Sequence, residues 1–265
     1  MDLSISRETG HGAAPKRRPR PMESQRTQMN FLAETAADLN SSLDLDDVFQ
    51  KIARRVGELV DSHLFCVMLW SEERQALEHS YSLKFGQHVT QEGSFPLGTG
   101  LTGSAALERR PIRVGDVTQD PRYVRFRHAE VDVRSELAVP LLLHDRLIGV
   151  LDLESLEVDR FTAEDEQMVC ALAGQIATAL ENARLFGRMV ELENHRAREL
   201  AIARRIQEGL LPDQVPRVSG CEVGSAFAPA RELAGDFYDY LHYHDGCVGF
   251  AVGDVAGKST GAALY

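Results

Sequence analysis

Nine positions between Leu172 and Leu200 recur with 4-3-4-3-4-3-4-3 spacing: Leu172, Ile176, Ala179, Ala183, Phe186, Val190, Glu193, Ala197 and Leu200. Only Glu193 among them is polar. A mean period of 3.5 residues keeps all nine on one seam of an α-helix, the pattern that winds two helices together. Thr162, followed by Ala163, Glu164 and Asp165, supplies an N-terminal cap with acids in the first turn. Leu211-Pro212 ends the run, because proline forbids helical backbone before it. Such a helix is roughly 70 Å long at about 1.5 Å per residue. Its first half is expected to pack on its own domain. Beyond about residue 187 the seam needs a second helix, so a homodimer through the 172–200 seam is predicted. After Leu200 the next apolar set, Ala203, Ile206 and Leu210, arrives one residue early and breaks the register.

Upstream the period changes. MNFLAETAADLNSSLDLDDVFQKIARRVGELV reads as two amphipathic helices, with SSLDLDD supplying the cap of the second. LFCVMLW (64–70) is a buried strand candidate, and ALEHSYS alternates as its neighbour. GTGLTGSAALERR is a glycine-rich entry to a short helix. ELAVPLLLHDRLIGVLDLES is two apolar runs joined by a His144-Asp145-Arg146 turn, a hairpin. Helices enclosing an antiparallel sheet make this part α+β.

The 265 residues carry a net charge of −11, which speaks against nucleic acid as a partner. No apolar run approaches the length of a membrane helix, so no membrane partner is expected. The four cysteines, Cys66, Cys170, Cys221 and Cys247, form no CxxC pair, the pattern of a reducing compartment; a cytoplasmic location is expected. Residues 1–26, with GHGAAPKRRPRP, read as a disordered tail in which Lys16, Arg17, Arg18 and Arg20 are a solvated basic run. His63, His79, His88, His128 and His144 show no metal-ligand spacing, and Trp70 reads as core or rim.

PDQVPRVSG is a linker by composition, and a second domain is expected after it. CEVGSAFAPA, ELAGDFYDYLHYH and CVGFAVGDVAG read as strands, the last two joined by a His244-Asp245-Gly246 turn. AVGDVAGKST contains the Gly-Lys-Ser of a phosphate loop, yet such a loop places its first glycine at 252, where Val252 stands. Asp254 would also repel a phosphate there. Taken instead as a ligand, Asp254 at a strand end is suited to a hard cation, and the hairpin can bring it beside Asp236. Two such carboxylates spanning two divalent cations make a hydrolytic design; as ordinary turn residues they do nothing. Spacing alone leaves both readings open.

GTGLTGSAALERRPIRVGDVTQDPRY, SELAVPLLLHDRLIGVLDLES and FTAEDEQMVCALAGQIATALENARL, in that order, resemble the bacterial GAF domain family. The resemblance covers about residues 27–186. It implies an antiparallel sheet with helices, a small-molecule pocket in some members, and an effector driven through the terminal helix. The ligand pocket residues are unknown. Phe161, Asp165 and Glu166 match part of a cyclic-nucleotide signature, but Glu154-Ser155 stand where Asn-Lys is expected, and FTAEDE is equally a helix cap. No cysteine suits a bilin.

ARRIQEGLLP, RELAGDFYDY and VGDVAGKSTGAAL look like the start of a PPM-type (SpoIIE-like) serine/threonine phosphatase domain, an α/β/β/α sandwich. By position, the resemblance makes Asp236 one metal ligand, Asp254 the metal-bridging ligand and the Val255 backbone carbonyl a further contact, with Asp239 behind them. Ala234 and Ser259 replace glycines usual in the family. It implies two divalent cations, Mn²⁺ or Mg²⁺, no catalytic residue beyond their ligands, and a phosphorylated protein substrate such as an anti-sigma-factor antagonist. The organisation expected is a tail (1–26), a GAF sensor (27–186), a coiled-coil linker helix (187–212) and an incomplete phosphatase domain (213–265). Because the chain stops inside an expected helix, at most trace phosphatase activity is expected of it alone. The alternative is a non-enzymatic dimerising GAF signalling module.

Overall fold

The computed structural model describes residues 21–90, 93–125, 131–229, 233 and 235–255. Contacts divide the chain into a unit up to Arg184 and a unit from Leu185 onward.

The first unit is built on one antiparallel sheet of seven strands: β1 (Leu64–Ser71), β2 (Ala76–Lys84), β3 (Gln87–His88), β4 (Ser94–Pro96), β5 (Ile112–Val114), β6 (Ser135–Leu143) and β7 (Arg146–Ser155). Their order is β3-β2-β1-β7-β6-β5, with β4 also pairing β2. The expected hairpin is β6–β7. Its turn is shorter than the three residues anticipated, since Arg146 already pairs with Leu143 and only His144 and Asp145 lie between the strands. Pro140 sits in β6 beyond the reach of β5, which pairs only Glu136 to Ala138. Its missing donor therefore falls on a local edge.

Both faces of the sheet are covered, so its central strands are apolar on both sides. One face carries Phe65, Val67, Leu137, Leu151 and Leu153. It packs against three helices: α1 (Pro21–Leu39), α2 (Leu45–Gly57) and the first part of α4 (Ala163–Leu210). α2 starts where Asp44 accepts a hydrogen bond from the Asp47 amide (2.9 Å). Asp46 and Asp47 in its first turn and Arg54 and Arg55 in its last complement the helix dipole. Its buried residues, Val48, Phe49, Ile52 and Val56, lie on one stripe. The expected cap of α4 is a reciprocal box: Asp165 N–H donates to Thr162 Oγ1 (3.2 Å), and Thr162 N–H donates to Asp165 Oδ2 (2.7 Å). Phe161 is buried beside it.

The opposite sheet face carries Cys66, Met68, Trp70, Ala138 and Val150 under α3 (Gly100–Glu108). Strands β1 and β7 approach closely at Gly149, where a Cβ would lie 2.1 Å from the Met68 carbonyl oxygen.

Three expectations change. α1 begins at Pro21, so the tail expected over 1–26 overlaps a helix; proline is well suited to a first helical position. The basic run at 16–20 lies outside the described residues. CEVGSAFAPA forms no strand over its described residues, only a Val218–Cys221 bridge. It carries a glycine, a proline and three alanines, residue types depleted in strands. The first half of α4 packs on its own unit as expected, with Leu172, Ile176, Ala179 and Ala183 buried there, so it is the 172–183 part of the predicted dimer seam that is withdrawn.

In the second unit α4 continues to Leu210 and ends one residue before the expected stop. A hairpin follows, β8 (Asp236–His242) and β9 (Val248–Asp254). Its turn closes with Tyr243 N–H donating to the Cys247 carbonyl (2.9 Å) and Gly246 at φ +84°. Among the described residues no helix is long and apolar enough to cross a membrane.

Candidate functional site

Two groups of carboxylates stand out. The first was not anticipated. Strand alternation puts Glu136 of β6 and Asp152 and Glu154 of β7 on the α3-covered face of the sheet. Glu136 lies directly across from Glu154, and Asp152 sits diagonally, opposite Ala138. One oxygen of each lies within 4.8 Å of the others. Glu136 and Asp152 are buried and Glu154 half-buried.

Burial pushes Glu136 up to about 8, helped by the charges of Glu154 and Asp120 and opposed by a hydrogen bond from Thr102. Burial likewise pushes Glu154 to about 7. Asp152 is held well above the ordinary carboxylate range by burial and by its two neighbours. Thr102 of α3 donates to Glu136 Oε1 (3.3 Å). Asp152 Oδ1 is buried with no hydrogen-bond partner among the described residues.

Cys66 is the β1 neighbour of Asp152. Its sulfur lies 3.1 Å from His79 Nδ1 and accepts from Ser82 Oγ at 3.3 Å. Burial raises this thiol far above its ordinary value, and Asp152 and Glu154 add to the shift. Burial also lowers His79. A thiol in that setting stays protonated and is a poor nucleophile.

Sequence reasoning passed over all three acids, and treated Glu154 only as a departure from a nucleotide signature. The signal was present: Asp152 and Glu154 are two residues apart inside an apolar strand, so they share a face. What the sequence did not disclose was that Glu136 pairs opposite.

The second group is in the hairpin. Asp236 and Asp254 are direct cross-strand partners. Gly235 permits the approach, since a Cβ there would meet the Val255 carbonyl oxygen at 2.8 Å and Asp254 Oδ1 at 2.9 Å. Both oxygens therefore lie beside Gly235. Val255 N–H donates back to the Gly235 carbonyl (2.9 Å) and holds the strand end in place. The donors are hard oxygens, as Mn²⁺ or Mg²⁺ requires. Asp236 and Asp254 are exposed. Asp239 is not gathered with them. It lies three residues along β8, on the other face, and accepts from the Tyr240 amide (2.7 Å). Ala234, Ser259 and the Gly-Lys-Ser segment lie outside the described residues.

Comparison with known proteins agrees with the first unit. The chain is 36% identical over 87 residues to the free methionine-R-sulfoxide reductase of Escherichia coli, which is 32% of this chain and 50% of that protein. It is 33% identical over 66 residues to the phosphoserine phosphatase RsbU of Bacillus subtilis, 25% of this chain and 19% of the phosphatase. The GAF domain of a Coxiella burnetii phosphoenolpyruvate-protein phosphotransferase superposes with a TM-score of 0.54 at 20% identity, covering 62% of this chain and 98% of that one. The chain thus spans half or less of the curated relatives it matches. The GAF domain model matches residues 42–181, more than half of the chain, and with that match and the fold it encloses, this protein belongs to the GAF domain family.

Proposed function

We propose that this chain joins a GAF regulatory domain, through α4, to the metal-binding entry segment of a phosphoserine/phosphothreonine phosphatase. The observation that carries the reading is the cross-strand pairing of Asp236 with Asp254, with Asp254 Oδ1 and the Val255 carbonyl both beside Gly235. The partial likeness to a phosphoserine phosphatase supports it. Asp236, Asp254 and the Val255 carbonyl would hold divalent cations, Mn²⁺ or Mg²⁺. Bound there, such ions would acidify a water and stabilise phosphoryl oxygens. The chain's own contribution is to fix two carboxylates at adjoining strand ends, with glycine at 235 keeping the approach open. The substrate class is a phosphorylated partner protein, of the anti-sigma-factor antagonist kind.

Isothermal titration with Mn²⁺ tests this on the wild-type chain and on Asp236→Asn and Asp254→Asn. At least tenfold weaker binding in each variant is expected. Equal binding by all three removes the pair from any metal site.

A second reading, a non-enzymatic dimerising GAF signalling module, is favoured by the exposed seam past Arg184. Phe186 and Val190 remain 40% and 38% exposed. The dimer interface in this proposal begins at Phe186 rather than Leu172. The presence or absence of phosphopeptide hydrolysis separates the two readings. Sulfoxide reduction is not proposed: Cys66 lies buried with a raised thiol, and burial and Glu166 raise Cys170 as well.

A further inference from the structure

The turn end of the β6–β7 hairpin is wedged between the two helical layers of the first unit. Leu142 and Leu147, on either side of the turn, join the apolar cluster of Leu101, Ala105 and Ala106 on α3. Their chain neighbours Leu143 and Ile148 join the cluster of Leu172, Ile176 and Leu180 on α4. The register shifts between Leu141 and Leu142, leaving Ile148 as the extra residue of a bulge, a device that re-aims side chains. Polar bonds continue the connection around the turn. Arg109, which closes α3, donates from its guanidinium to the carbonyl of Asp145. Arg146, the next residue, pairs with Glu181 of α4, Nη2 to Oε1 at 2.5 Å. Glu181 is only 4% exposed. Its other oxygen lies 3.2 Å from Arg184 Nε, yet neither of those atoms makes a hydrogen bond among the described residues. Arg146 therefore makes the closer contact to a buried charge that is costly to leave unpaired. Arg184 is the last residue of the first unit. Two residues of this chain of contacts hold left-handed backbone without being glycine, Arg109 at φ +53° and His144 at φ +54°. Helix ends and two-residue turns usually use glycine for that conformation. It persists at other residues where surrounding contacts over-determine it.

We infer that the His144–Asp145 turn is a latch: through Arg109, Arg146 and Glu181 it couples the end of α3 to α4 at the point where α4 leaves the first unit. α3 and α4 lie on opposite faces of the sheet, and a close-packed core between them resists deformation. The turn is the route around the end of that core. A shift of the α3 end draws on the Asp145 carbonyl, and a two-residue turn has no slack to absorb it. Arg146 moves with the turn and leaves Glu181 to Arg184 alone. The carboxylate then takes water or swings outward, and this stretch of α4 loosens from the sheet. With the latch closed, the charge is met and α4 stays seated as far as Arg184. The coupling requires no metal at Asp236 and Asp254, so it stands apart from the phosphatase reading.

Native-state hydrogen exchange on the whole chain tests the latch, read at the amides of residues 178–184. Arg146→Gln should speed their exchange about tenfold, since it strips the buried carboxylate of its nearer partner. Arg109→Gln should speed the same amides about threefold, although its side chain reaches only the turn. In the Arg146→Gln background, Arg109→Gln should add nothing, because the link is already cut. Both arginine changes should also be silent in Glu181→Gln, where no buried charge is left to lose its partner. Amides of β1, followed in the same experiment, should keep their wild-type rates and report any general loss of stability. The latch is refuted if either single arginine change leaves residues 178–184 at the wild-type rate. It is refuted equally if Arg109→Gln acts undiminished in the Arg146→Gln background, or if β1 speeds up as much as α4. Should a glutamine variant fail to fold, Arg109→Lys and Arg146→Lys make the same comparison. Each keeps the charge but loses the planar fork, and the same pattern, smaller in size, is expected, with the same outcomes refuting it.

Discussion

The two carboxylate groups of this chain sit in opposite surroundings. Glu136, Asp152 and Glu154 lie between a sheet and α3, and burial moves all three upward. Asp236 and Asp254 stand at the open end of a two-stranded hairpin and are exposed. The hydrophobic residues around them differ in the same way. Leu137, Leu151 and Leu153 are fully buried, whereas Phe237, Phe250 and Val252 of the hairpin are 46%, 56% and 85% exposed. The same residue types therefore have different effects. In the first unit an acid carries a desolvation cost that a proton or a bound cation must offset. In the hairpin an acid costs little and is free to meet a hydrated ion.

The largest effect expected from this contrast is on stability. Leu151→Ala should cost the first unit about 2–5 kcal/mol, the range for emptying a well-packed leucine site, measured by urea unfolding with Trp70 emission. A loss below about 1 kcal/mol would mean that the sheet core is far looser than its burial implies.

Next comes pH. Glu136 and Glu154, held near 8 and 7, favour the protonated folded form. The stability they contribute is complete below the unfolded carboxyl pKa and is lost as pH rises through 7 and 8. Each pH unit by which folding raises a carboxyl pKa corresponds to about 1.4 kcal/mol, and the acids share one another's field, so the first unit should lose on the order of 3–5 kcal/mol between about pH 5 and pH 9. Glu136→Gln should flatten that slope. Asp38, Asp116 and Asp120 are shifted down, Asp120 chiefly by its bond with Arg122. Their contribution disappears only on the acid side, as pH falls below the ordinary aspartate value, so the two flanks can be told apart. Stability that rises from about pH 5 to pH 9 would contradict the burial of the cluster.

Removal of the α4 cap by Thr162→Ala should cost about 1 kcal/mol, read in the same unfolding assay. Charged residues at Phe186 and Val190 should shift sedimentation toward monomer without changing the first unit's unfolding. At the small end, Val252→Ser should change stability by less than about 0.5 kcal/mol. A larger loss there would show that the exposed hairpin face is covered in solution.

How much was legible differed between the two regions. The order of helices and strands in the first unit follows from period changes that local chemistry enforces: the Asp44 and Thr162 caps, the β6–β7 hairpin and the apolar seam of α4. The end of α4 before Pro212 follows from proline's backbone. Asp236 and Asp254 could be named because one hairpin joins them, and a hairpin is a local object whose register its turn sets.

The buried cluster required more. Alternation places Asp152 and Glu154 on one face, but β6–β7 register brings Glu136 opposite them, and α3 closes over all three. Whether a carboxylate keeps its charge depends on which atoms exclude water from it, and those come from segments far apart in the chain. Tertiary packing likewise fixed the residue at which the expected division of the seam falls. The heptad spacing of Leu172 through Leu200 is uniform, yet Leu172 to Ala183 pack on their own sheet while Phe186 and Val190 stay exposed. By itself the sequence determined most of the helices, strands and turns of the first unit, because those depend on neighbours a few residues away. The tertiary structure decided which acids are dry and which helix face is free, because burial depends on what the rest of the chain places on top.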